Sequence, residues 1–145
     1  TAVAGAVSRH DGEIDKIVGD GMMAFFEGED ADERAVAAAV ESIASCGSLV
    51  RHPGIGLYRG EVIAAALGAG KRADFTILGR TVNLAARLCA LSGEDEITMS
   101  QEMAARQRPD LEEVSRDVVR PRHHSRDMSV VRFQLAEAVG EVPSF

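Results

Sequence analysis

Positive charge is scarce in this 145-residue chain: 16 Lys and Arg stand against 23 Asp and Glu, for a formal charge of −7. Such a field repels a nucleic-acid backbone and an anionic membrane surface, so any phosphate ligand has to be held by local positive groups. Cysteine is scarcer still. Cys46 and Cys89 lie far apart, outside any C-x-x-C or dense secreted pattern, and both fall in apolar helical patterns. Both are therefore expected to be reduced core thiols of a cytoplasmic protein. No apolar run approaches the roughly 20 residues that span a bilayer, and the stretch from Val36 to Val40 is cut by Glu41. No signal peptide is recognisable, and no membrane contact is expected from this segment. Nucleotide-loop signatures are missing too. Gly68-Ala69-Gly70-Lys71-Arg72 resembles a phosphate loop only superficially, because G-x-x-x-x-G-K-[ST] is absent and no G-x-G-x-x-G opens a helix. The adjacent His123 and His124 face opposite ways on a strand and have no Cys or His at zinc spacing.

The length fits one domain with one core. Val3 and Val7 suit the tail of an amphipathic helix, which His10-Asp11-Gly12 stops. The chain opens at Thr1 without Met, as if in mid-helix, so sequence upstream is expected. Glu13 to Val18 and Met22 to Phe26 read as two strands around Gly19-Asp20-Gly21, since Asp-Gly between apolar runs signals a hairpin. Val36, Val40 and Ile43 recur at helical spacing, with Asp30 or Asp32 as N-cap and Gly47 as stop. Ile55 to Leu67 reads as strand, broken at Arg59-Gly60, and pairs with Ala73 to Leu78. Thr81 caps a helix to Leu91, Glu96 to Met99 is a short strand, Ser100 caps a brief helix to Gln107, and Val118 to Leu135 holds a last β pair. Helices mixed with hairpins predict an α+β sandwich, with helices packed on one sheet, rather than a βαβ series.

Three features carry chemistry. At about 100° per residue, Val82, Leu84, Ala85, Ala86, Leu88 and Cys89 form an apolar arc that leaves Asn83 and Arg87 side by side outside it. An amide and a guanidinium four residues apart can meet one ligand, the Asn on a sugar or ring oxygen and the Arg bidentately on a phosphate. A solvated face is the plainer account from periodicity alone. Alternation puts Lys16 on one strand face with Ile14 and Val18, where it either snorkels to the sheet edge or offers its ammonium to a base. Thr76, sharing a face with Asp74 and Leu78, can offer a hydroxyl to the same base. Asp20, at the first hairpin's turn, either closes an Asp-Gly turn or binds Mg²⁺.

Three stretches together resemble one family: Gly12 to Phe26 (GEIDKIVGDGMMAFF), Gly54 to Val62 (GIGLYRGEV) and Arg72 to Leu88 (RADFTILGRTVNLAARL). Their order and spacing are similar to the class III adenylate/guanylate cyclase catalytic domain, over about Val3 to Leu135, and the last stretch is the most specific. The resemblance implies a ferredoxin-like α+β core, mainly antiparallel with helices packed on it. It also implies a homodimer with two active sites built from both subunits at the interface, and a divalent ion, Mg²⁺ or Mn²⁺. Carried over, Asp20 matches a metal-binding aspartate, Lys16 the purine-recognising lysine and Thr76 its helper. Asn83 matches the ribose-orienting asparagine, Arg87 the transition-state arginine, and Arg126 the place of a triphosphate lysine.

The expected reaction is conversion of ATP to 3′,5′-cyclic AMP and pyrophosphate by metal-assisted attack of the ribose 3′-hydroxyl on the α-phosphorus. Adenine offers an N1 acceptor and an amino donor, matching a Lys donor and a Thr acceptor, so ATP is preferred over GTP. The sequence departs from the family in three places. The family's first strand and its metal aspartate have no counterpart in residues 1–145, Arg80 replaces an acidic or small polar residue, and Arg126 replaces a lysine. The missing aspartate motivates the alternative, a catalytically inactive nucleotide-binding or dimerisation module of the same fold.

Overall fold

The computed structural model describes residues 2–18, 21–46, 52–61, 63–67, 74–106, 108, 110–120 and 126–136, with the backbone alone at 18, 63–67 and 74–78. The elements run α1 (Ala2–Arg9), β1 (Glu13–Val18), β2 (Gly21–Phe25), α2 (Ala31–Ala44), β3 (Ile55–Leu57), β4 (Ile63–Leu67), β5 (Asp74–Leu78), α3 (Arg80–Leu91), β6 (Ile97–Ser100), α4 (Gln101–Ala104), β7 (Leu111–Val119) and β8 (Met128–Leu135). This is the expected α+β arrangement. Both hairpins are present, β1 with β2 and β4 with β5, and the break between β3 and β4 falls at the predicted Arg59-Gly60. The strands are divided differently from the single sheet expected. Among the described residues the two hairpins and a four-stranded sheet of order β3-β6-β8-β7 form separate ladders. All pairings are antiparallel except β3 with β6.

The core lies between α2 and one face of the four-stranded sheet. Val36, Ala39 and Ile43 recur three and four residues apart on α2, so one stripe of the helix is apolar. Opposite it the register aligns Ile55 with Ile97 and Ile97 with Phe133, then Leu57 with Met99 and Met99 with Val131. Because strand side chains alternate, these rows face α2 together. Phe133 and Ile97 are fully buried, and each such side chain contributes roughly 1.5–3 kcal/mol.

The opposite face is set by Gly56. A Cβ at that position would stand 2.2 Å from the Cys89 backbone nitrogen and 2.5 Å from the Ala85 carbonyl oxygen. The backbone of α3 therefore lies directly on β3. Ser92, just past α3, places its Oγ 2.8 Å from the Ile55 carbonyl and 2.6 Å from Thr98 Oγ1. Buried Thr98 is thus satisfied and the helix end is fixed to the sheet.

Two expected caps change. The helix α3 starts at Arg80, with Gly79 as N-cap at φ 127°, a backbone shape that glycine adopts without strain; Thr81 therefore falls inside the first turn. Asp30 occupies the N-cap of α2 without a side-chain cap bond, its Oδ1 accepting from Arg34 Nε at 3.0 Å instead. Arg34 also donates to the His10 and Asp11 carbonyls at 3.1 Å each and to the Glu27 carbonyl, clamping the α1–β1 turn to the start of α2. Ser100 does cap α4, accepting from Met103 N at 3.5 Å, although the helix ends at Ala104. The last β pair starts at Leu111 rather than Val118, since β7 is mostly exposed and carries no alternating pattern. Pairing with β8 makes it a strand.

Glu41 of α2 accepts from Arg9 at the end of α1, with Nε at 2.7 Å, and lies 3.2 Å from His10 Nε2. The Arg9 hydrogen bonds, seconded by His10, hold the Glu41 carboxyl below its ordinary value of 4.5. A carboxyl depressed on folding adds stability above its unfolded pKa, and that stability is lost as pH falls through the folded one. Glu41→Gln should therefore be less stable than the parent at neutral pH, with the gap narrowing as urea melts are repeated below pH 4.5. Gly56→Ala, which drives a methyl into the backbone of α3, should lose about 1–3 kcal/mol or more, read as a lower urea midpoint.

Candidate active site

Lys16 stands on β1 in a register that simple alternation does not give. Ile14 pairs with Ala24 and Lys16 with Met23, so the ladder skips Asp15 and forms a β-bulge. Past the bulge the faces exchange. Lys16 leaves the face of Ile14, correcting the expected lysine between two aliphatics. Ile14 and Ile17 share the other face and are exposed, at 38% and 65%. The Lys16 side chain is 46% exposed, whereas Asp15 is 2% exposed at its side chain and places Oδ2 3.7 Å from Lys16 Nζ. Asp15 escaped the sequence reading because alternation assigned it to the face opposite Lys16; a bulge leaves no pattern in composition.

Thr76 lies at the middle of β5, opposite Ala65 of β4, and β5 runs against β1. The backbone therefore brings Thr76 and Lys16 to neighbouring strands, while the Thr76 side chain lies outside the described residues. Asp20 lies outside them altogether, as do His123 and His124.

On α3, Leu84 and Leu88 are buried and Asn83 and Arg87 are exposed one turn apart, as the angular reading requires. The apolar arc is narrower than read, since Ala86 and Cys89 are exposed. Cys89 is thus corrected from core thiol to surface thiol, because the two leucines, with more apolar area, set the helix's rotation. Cys46 is buried as expected and donates to the Ser42 carbonyl at 3.1 Å.

Arg126 is exposed at the foot of β8 and lines a cleft of about 880 Å³ with Tyr58, Arg59, Leu84, Arg106 and Asp127. Arg59 pairs with Asp32 at 3.0 Å and Arg106 with Glu33 at 3.3 Å, so carboxylates offset two of its three arginines. Leu84 is a wall of this cleft but Asn83, Arg87 and Lys16 are not. The structure thus joins Asn83 to Arg87 and the strand of Lys16 to that of Thr76. Arg126 stands apart from both pairs, in a cleft whose arginines come from three separate connections, after β3, after α4 and before β8, so no single motif announces them. Among the described residues no three His, Cys, Asp or Glu side chains converge as metal ligands, and Asp20, the expected ligand, lies outside them. Nor is any helix among them long and apolar enough to cross a membrane.

The family model of the adenylate and guanylate cyclase catalytic domain matches residues 7–130, and the chain belongs to that family. Uncharacterized protein Rv1319c of Mycobacterium tuberculosis is 37% identical over 97 residues, which is 62% of this chain and 18% of that protein. The chain thus spans less than a fifth of the length of such curated relatives. Among solved structures, the adenylyl cyclase CyaB from P. aeruginosa is 27% identical with a TM-score of 0.69, over 97% of this chain and 79% of that one. The guanylyl cyclase Cya2 is 24% identical with a TM-score of 0.74, over 95% and 78% of the two chains. The guanylate cyclase domain of RhGC from Catenaria anguillulae, solved with GTP, is 19% identical with a TM-score of 0.72, over 92% and 78%. The last two show the fold alone, and cyclases named for either base share it.

The rotation of α3 is open to a direct check. A thiol reagent should label Cys89 rapidly in the native protein and Cys46 only after denaturation. Equal protection of the two thiols would mean that the helix is turned otherwise.

Proposed function

We propose that this domain is an adenylate cyclase, turning ATP into 3′,5′-cyclic AMP and pyrophosphate at a site shared by two copies of the chain. The observation that carries the reading is the exposed Asn83–Arg87 pair, held one turn apart over the buried Leu84 and Leu88. Asn83 orients the ribose and Arg87 neutralises the charge that grows on the phosphates as the 3′-oxygen bonds to the α-phosphorus and pyrophosphate departs. Lys16, with Thr76, recognises the adenine, and Arg126 holds the triphosphate. Asp20 is the residue the resemblance assigns to a divalent ion, Mg²⁺ or Mn²⁺, which would supply activation of the 3′-hydroxyl.

Exposure argues for the second copy. Charge stabilisation of this kind needs a water-poor site, yet Lys16, Asn83 and Arg87 are all open to solvent in one chain. On the face of β1 opposite Lys16, the exposed Ile14 and Ile17 add apolar surface that a partner can cover. The fixed donor at Lys16 supports ATP over GTP, because guanine presents a donor where adenine presents an acceptor. ATP as substrate places the reaction in the cytoplasm.

With ATP and Mn²⁺ the intact protein should yield cyclic AMP, and Asn83→Ala should lower turnover about 10²–10³-fold, as loss of one preorganised donor does. Its unfolding midpoint should stay put, because Asn83 is exposed. Turnover equal to the parent's would remove Asn83 from the mechanism. ATP binding without any product would point to a nucleotide-binding module instead.

A further inference from the structure

Asp15 joins three properties that an ordinary strand residue does not combine: the register skips it, its side chain is buried, and its carboxylate reaches the next residue's ammonium. Adjacent side chains on a regular strand point to opposite faces. At a bulge two residues of one strand face a single partner residue, and here Asp15 is the extra residue between Ile14, paired with Ala24, and Lys16, paired with Met23. The Oδ2 to Nζ distance of 3.7 Å depends on this geometry. A buried carboxylate needs polar partners, and a lysine ammonium ends a flexible four-carbon stem. One member of the pair is thus fixed in the protein while the other reaches the solvent where a ligand arrives.

We propose that Asp15 is a positioning residue for base selection, acting through Lys16; this rests on the reading of Lys16 as the purine-binding donor. The carboxylate restricts the Lys16 stem and aims its ammonium before the nucleotide binds, so less freedom is lost when the contact to adenine N1 forms. Without the carboxylate the charge remains and one restraint on its direction is lost. Asp15 touches no reacting atom.

The test compares kcat/KM for ATP with that for 1-deaza-ATP, in which ring N1 is replaced by C–H, in the intact protein. The parent should prefer ATP, and Lys16→Met, which removes the donor, should abolish the preference. Asp15→Asn should lower the preference about fivefold to tenfold, the scale of one charge-assisted contact, with Asp15→Glu restoring part of it. In the Lys16→Met background Asp15→Asn should add nothing, as expected for residues acting in one chain of contacts. If Asp15→Asn does not fold, Asp15→Ser is read the same way. Equal losses on both nucleotides, or a lower unfolding midpoint with the preference intact, would overturn the proposal and leave Asp15 a structural residue. A parent that does not distinguish the nucleotides, or a Lys16→Met variant that still does, would sink the reading of Lys16 itself.

Discussion

The close approach of α3 to β3 at Gly56 is the constraint on which the rest depends. With no side chain between them, the helix backbone rests on the strand, and its rotation is fixed by the two leucines that fill the remaining space. Ser92 then fastens its far end to Ile55 and Thr98. That rotation turns Asn83 and Arg87 outward as a pair. The same sheet carries α2 on its other face over Ile97, Met99, Val131 and Phe133, so the platform under the helix is itself close-packed. A site built on such a support presents its donors in fixed directions, as stabilisation of developing charge requires.

Much of this was legible in the sequence, and what was not has identifiable causes. The hairpins announced themselves through Gly-Asp-Gly and the glycine-rich segment before Asp74, because those residues suit tight turns that others resist. Periodicity locates α2 and α3 and sets Asn83 beside Arg87, where both are exposed. The strand β7 escaped because its residues face water on both sides, and only its neighbour gives it extended structure. The bulge at Asp15 escaped for a related reason: an extra residue in a ladder is decided between two strands and leaves no trace in one. Cys89 was misplaced because helical spacing gives an arc but not which part of it is pressed against the sheet.

The hairpin of Lys16 and the helix of Asn83 are different kinds of support. The helix pair gains its direction from packing beneath it, whereas Lys16 stands on a two-stranded ladder whose outer face leaves Ile14 and Ile17 in water. Family membership joins both into one fold shared by cyclases named for adenylate and for guanylate. Base choice therefore rests on a few side chains and not on the architecture.

The central claim is that one chain holds only part of the site and a second copy completes it. Initial rates of cyclic AMP formation, measured across a dilution series alongside sedimentation of the same samples, test it most directly. The account predicts that activity per chain rises with protein concentration and levels off with the dimer population. Constant activity per chain down to concentrations at which only monomers sediment would contradict it.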